Sequence, residues 1–118
     1  MPHIVVKYSD NAPATLDWTA LLLVLHDSLA EQDTVTPSQI KTYAFPLSAC
    51  IVGDSTRPDG MIHIQIRLLK GRSDALRKAM ALALHDAVRA YTNKVGWACA
   101  LSIETVELHS ETYCSSYQ

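Results

Sequence analysis

The residues with the plainest chemical capability stand at the start of the chain and just past its middle. The sequence opens Met1-Pro2-His3. A small residue after Met permits removal of that Met, which would leave Pro2 first. An amino-terminal proline carries a free secondary amine with no peptide bond on its nitrogen. It is then a base or a nucleophile, which an internal proline never is. On the dipeptide alone nothing need follow, since many proteins begin this way. Two cations are placed near strand ends: Lys41, where a strand is expected to begin, and Arg72, in the turn Gly71-Arg72-Ser73 at an expected helix N-terminus. Arginine fits a carboxylate through two parallel hydrogen bonds, and helix amides beside it extend an anion site. The plainer reading of Arg72 is a solvated arginine at a helix start.

These residues need a frame. His3 to Tyr8 is rich in β-branched residues and reads as a strand, followed by the turn cluster Ser9 to Pro13. A proline at the first position of a strand breaks no ladder bond. A helix is expected from about Thr15 to Glu31, with Leu16, Ala20, Leu23 and Asp27 on one flank and Leu21, Leu22, Val24, Leu25 and Leu29 widening its apolar side. Ile40 to Phe45 is a second strand ended by Pro46, and Gly53 to Gly60 a loop. Met61 to Lys70 is the clearest strand, with Ile62, Ile64, Ile66 and Leu68 pointing one way and His63, Gln65, Arg67 and Leu69 the other. Ser73 suits an N-cap and Asp74 the positive end of the helix dipole. That helix runs to about Asn93 with Leu76, Met80, Leu84, Ala87, Val88 and Tyr91 inward, and Gly96 just past its end. Ala98 to Leu108 is the last strand, where a shift of apolar phase between Ile103 and Val106 predicts a bulge.

The two halves superpose at a shift of about sixty residues: His3 falls on His63, Ile4 on Ile64, Val6 on Ile66 and Lys7 on Arg67. The predicted fold is α/β (α+β by some schemes), one domain over residues 1–118 with pseudo-repeats at about 1–60 and 61–118. Two β-α-β units, each with a right-handed crossover and parallel strands, form one four-stranded sheet with both helices on one face. The other face is expected to carry His3, His63, Val5, Leu69 and Leu101. That mixture favours partial burial in an oligomer over a bare surface.

Composition excludes some classes. At 118 residues and a net charge of -2, the chain offers no basic field for nucleic acid. The apolar run Ala20 to Leu25 is far too short to span a bilayer, and the start lacks the order of regions that a secretory signal needs. Cys50, Cys99 and Cys114 are odd in number and widely spaced, as expected of free thiols in a reducing cytoplasm. His26 and His85 fall on helices, and spacing alone assembles no Ser-His-Asp or Cys-His set.

Met1-Pro2-His3, an apolar strand and then Ser9-Asp10-Asn11 resemble the start of the 5-carboxymethyl-2-hydroxymuconate isomerases, within the tautomerase superfamily. Gly71-Arg72-Ser73 with Arg77, and Glu107-Leu108-His109, are similar to two further hallmarks of that family. The resemblance implies a tautomerase-like fold, a homotrimer, and no metal or organic cofactor. It implies that an amino-terminal proline acts as general base on a small carboxylate substrate from aromatic catabolism, converting an unsaturated 2-hydroxy di- or tricarboxylate to its 2-oxo isomer. By match of motif, Pro2 and Arg72 are the catalytic residues, and Lys41 and Arg72 bind the substrate carboxylates. Lys41 stands where the family pattern has an arginine, so a point charge replaces a bidentate fork.

Physical chemistry agrees with those roles. A free α-amino group titrates at about 7.7–8.0, so a base working near pH 7 needs its pKa lowered. A partly apolar pocket and nearby cations both do this. The same cations stabilise the dienolate that develops as a proton leaves carbon. Phe45 and Tyr113 are candidates to close the apolar side. The rival readings are a different amino-terminal-proline enzyme, a dehalogenase or decarboxylase whose Pro2 stays protonated, and a non-catalytic oligomeric binding module.

Overall fold

Period-two alternation builds the sheet, and the helices bury its apolar side. In the computed structural model, which describes residues 1–54 and 60–118, the chain runs β1 (His3–Ser9), α1 (Trp18–Ala30), a 3-10 turn (Pro37–Gln39), β2 (Lys41–Leu47), β3 (Gly60–Leu69), α2 (Asp74–Val95) and β4 (Cys99–Leu108). The strands form one sheet in the order β2-β1-β3-β4. β1 pairs parallel with β2 and β3 parallel with β4, while β1 and β3 run antiparallel at the centre. The predicted pair of β-α-β units is thus present, with the halves joined through their first strands.

Ile4 and Val6 of β1 and Ile62, Ile64, Ile66 and Leu68 of β3 are sealed beneath Leu21, Leu25 and Leu29 of α1 and Met80, Leu84 and Val88 of α2. Each such side chain contributes about 1.5–3 kcal/mol through burial. At the end of the sheet where β1 leaves and β3 begins, Tyr8 stacks on Trp18 at 3.6 Å, and Trp18 meets Trp97 edge-on at 6.4 Å. A Cβ on Gly60 would lie 2.6 Å from Trp97 Cζ2, so the indole can lie there only because residue 60 has no side chain. Among the described residues no helix is long and apolar enough to cross a membrane.

Several local expectations are corrected. α1 begins at Trp18 rather than Thr15, because Asp17 caps it by accepting from the Ala20 amide at 3.2 Å. Its buried stripe is only Leu21, Leu25 and Leu29, and Leu23 is 55% exposed. On α2, Ala81 and Thr92 are buried where Ala87 is only half-buried. Pro46 lies inside β2 and not beyond it; β2 is an edge strand, where a missing donor costs no ladder bond. The predicted bulge in β4 is absent, since ten consecutive pairs from Gly60–Cys99 to Leu69–Leu108 hold one register. Leu101 pairs with Ile62 and packs against the helix-side core, so it is not on the open face. Residues 55–59 of the expected Gly53–Gly60 loop lie outside the described residues.

The open face carries His3, Val5 and Lys7 of β1 beside Tyr43 and Phe45 of β2 and His63, Gln65 and Arg67 of β3. Val5 is buried by its neighbours, whereas Tyr43, Phe45 and Leu69 are exposed.

Candidate active site

Strand pairing decides what meets Pro2. Because β1 and β3 are antiparallel and His3 sits opposite Arg67, the residue before β1 must lie beside the end of β3. Pro2 is buried there. With Met1, Leu68, Leu69 and Arg72 it lines a cavity of about 60 Å³. Gly71, at φ +125°, supplies the turn that brings Arg72 back over that end. On the other side of β1, the Lys41 amide donates to the Pro2 carbonyl at 3.0 Å. The three predicted site residues therefore gather at one end of the sheet.

Arg72 is held by neutral oxygens. Its Nε donates to Thr34 Oγ1 at 3.1 Å, Nη2 to the Thr34 carbonyl at 2.8 Å and Nη1 to the Leu69 carbonyl at 3.4 Å. These anchors fix the plane of the guanidinium without cancelling its charge. The expected contribution of helix amides is reduced, since Ser73 Oγ already accepts from the Leu76 amide at 3.1 Å.

The Met1 amine, which precedes Pro2 in this structure, lies in a setting that disfavours its charged form. The Met1 amine donates to the Gln39 carbonyl at 2.9 Å. Burial, and then the Lys41 ammonium, pull its pKa below the ordinary value for an amino terminus. His3 is lowered too, first by burial and then by the amino terminus, Lys41 and Arg67. Its ring lies between two phenols, with Nε2 3.2 Å from Tyr113 Oη and Nδ1 3.3 Å from Tyr43 Oη. Tyr113 thus reaches the rim of the site through His3. Phe45 does not: it pairs with Lys7 further along the sheet and lines a different depression with Val5 and Tyr43.

Sequence reasoning missed Thr34, Ser38, Gln39 and Tyr117. None sits in a motif, and each reaches the site only through the folded chain. Other motif residues have structural partners. Arg77 pairs with Asp74 at 2.5 Å and approaches Glu107 at 3.9 Å, which ties α2 to β4. Lys70 and Glu111 form an ion pair that holds the tail near the end of β3. His26 Nδ1 lies 2.7 Å from Thr42 Oγ1 and links α1 to β2.

The structure also assembles a set that spacing did not. On the open face, His63 Nδ1 lies 2.7 Å from Ser102 Oγ, and His63 Nε2 lies 2.7 Å from Glu104 Oε2. Bonds from His63, and then from Gln65, lower the Glu104 pKa. A carboxylate with a depressed folded pKa stabilises the fold above its unfolded pKa and loses that contribution as pH falls through the folded value. Glu104→Gln is therefore expected to show a small Tm deficit at pH 7 that shrinks below about pH 4.5. A deficit equal at pH 7 and pH 3 would rule this coupling out.

Comparison with known proteins follows the same outline. The family model described as 5-carboxymethyl-2-hydroxymuconate isomerase matches residues 2–116. A 5-carboxymethyl-2-hydroxymuconate isomerase from Deinococcus radiodurans R1 is similar in structure, with a TM-score of 0.85, 25% identity, and coverage of 99% of this chain and 90% of that one. A 5-carboxymethyl-2-hydroxymuconate delta-isomerase gives a TM-score of 0.86 at 20% identity, covering 100% of this chain and 89% of that one. A protein described as a fused 4-OT wild type symmetric trimer shares the fold, with a TM-score of 0.72 at 13% identity, covering 97% and 93%. No curated protein sequence matches.

Proposed function

The chain belongs to the 5-carboxymethyl-2-hydroxymuconate isomerase family, and from that premise we propose that it isomerises an unsaturated 2-hydroxy di- or tricarboxylate to the 2-oxo form, with Pro2 as general base once Met1 is removed. The observation that carries the proposal is the cavity shared by Pro2 and Arg72, with the Lys41 backbone amide donating to the Pro2 carbonyl. The neutral Pro2 nitrogen takes the proton of the 2-hydroxyl, and its conjugate acid delivers a proton to carbon. No other group need change its protonation over the cycle. Arg72 and Lys41 bind the carboxylates and stabilise the dienolate between the two transfers. Burial and the Lys41 ammonium lower the pKa of the Met1 amine just ahead of Pro2; the same surroundings acting on a freed Pro2 nitrogen would favour a base over the protonated amine that a dehalogenase or decarboxylase would use.

The test is a UV time course on 5-carboxymethyl-2-hydroxymuconate, with intact mass confirming loss of Met1. Decay of the dienol absorbance supports the reading. Absence of turnover in protein lacking Met1 would shift it to another substrate or to a binding module.

The active form is proposed to be a cytoplasmic homotrimer, which fits three free cysteines. Exposed Tyr43, Phe45 and Leu69 give the uncovered sheet face the apolar character of a contact surface. A neighbour with this fold is described as a symmetric trimer. Sedimentation is expected to give a species three times the 13.0 kDa chain mass; a monomer would remove this part of the proposal.

A further inference from the structure

Tyr117 belongs to no motif and is 65% exposed, yet it contacts the candidate site at two points. Its hydroxyl donates to the Ser38 carbonyl at 2.7 Å. Lys41 Nζ in turn donates to that hydroxyl at 3.4 Å and lies 4.8 Å from the centre of the ring. Ser38 is in the 3-10 turn whose Gln39 carbonyl accepts from the amino terminus. One short turn therefore holds both the Met1 amine and the phenol, and Lys41 follows two residues later.

Chemistry makes the arrangement directional. The phenol proton is used on Ser38, so a lone pair is left for the ammonium, and the ring face adds a cation–π attraction. The Lys41 ammonium has three protons and gives one to Tyr117, which leaves two for a ligand. A lysine otherwise has a flexible four-carbon stem that must be ordered when an anion binds. Ordering it beforehand lowers the cost of binding.

We propose that Tyr117 is a positioning residue that holds the Lys41 ammonium at the Pro2 end of the sheet, ready for a substrate carboxylate. The proposal rests on the reading of Lys41 as a substrate-binding cation. Among the described residues, the other titratable or charged groups facing this end are the His3 imidazole on β1, whose charged form burial and nearby cations disfavour, and the Arg72 guanidinium after β3.

The experiment compares wild type, Tyr117→Ala, Tyr117→Phe, Lys41→Ala and the double variant Lys41→Ala/Tyr117→Ala. Two quantities are read in protein lacking Met1: KM for the dicarboxylate, and the titration of the Pro2 amine followed by NMR. Tyr117→Ala is expected to raise KM about three- to tenfold, with a smaller change in kcat. It is expected to move the amine pKa upward, because the Lys41 charge is no longer held nearby. Tyr117→Phe keeps the ring contact and should fall between. In the Lys41→Ala background, Tyr117→Ala should add nothing. If Tyr117→Ala leaves both KM and the amine titration unchanged, the proposal is overturned. An equal rise in KM with and without Lys41 also overturns it, since the effect would then not pass through Lys41. The titration needs no turnover. A shifted amine in a protein that turns nothing over would support the role of Tyr117 and count against the isomerase reading instead.

Discussion

Replacing Pro2 with Ala is expected to bring turnover of 5-carboxymethyl-2-hydroxymuconate close to background, a loss of about 10²–10⁴-fold, the usual size of a general-base contribution. The expectation rests on placement. Pro2 is buried, its carbonyl is fixed by the Lys41 amide, and its ring lines the cavity that Arg72 enters. A primary amine at the same position lacks the ring that fixes the direction of the nitrogen lone pair. A second variant removes the base altogether: one extra residue ahead of Pro2, retained in the mature chain, turns its nitrogen into an amide. Both variants should melt at the wild-type temperature, because Pro2 gives no amide to the sheet. The pH profile adds an independent check. A base acts when neutral, so kcat/KM should rise with pH to a plateau. Its midpoint should lie below the usual 7.7–8.0 of an α-amino group, because the burial and the Lys41 charge that lower the Met1 amine are expected to act on the Pro2 nitrogen once Met1 is gone. Rates equal to wild type in both variants would end the proline mechanism.

Arg72→Ala is expected to lower kcat/KM by about 10²–10³-fold, as removal of one preorganised donor to a developing anion does elsewhere. The guanidinium is anchored by both oxygens of Thr34 and by the Leu69 carbonyl. It is therefore rigid before substrate arrives and needs no reorganisation as charge develops. Arg72→Lys keeps the charge and loses the fork and its anchors, so it should recover only part of the loss. Thr34→Ala frees one anchor while leaving the charge in place, and should cost less than either. A loss confined to KM in Arg72→Ala, with kcat intact, would make Arg72 a binding residue without a part in stabilising the transition state.

The elements of this fold were legible because each is a local pattern. Strict alternation from Ile62 to Leu68 names one face of β3, Ser73 caps α2, and the match of His3 with His63 gives the doubled β-α-β order. The candidates Pro2 and Arg72 could be picked out as well: a Met-Pro start and a Gly-Arg-Ser turn need only neighbouring residues to be noticed. What sequence alone could not supply is side choice and partnership. Apolar spacing on α1 is broad, yet only Leu21, Leu25 and Leu29 are buried, because the width of the buried stripe depends on what packs against it. Local pattern ends the second strand at Pro46 and puts Leu101 on the open face; the edge positions and registers of β2 and β4 decide otherwise. Thr34 reaches Arg72 across 38 residues and Tyr117 reaches Lys41 across 76. Such contacts follow from the strand order β2-β1-β3-β4, which brings the end of β3 and the start of β2 to either side of Pro2. Local periodicity fixes which way a side chain points relative to its own strand or helix. Only the pairing of strands distant in the chain decides what stands in front of it.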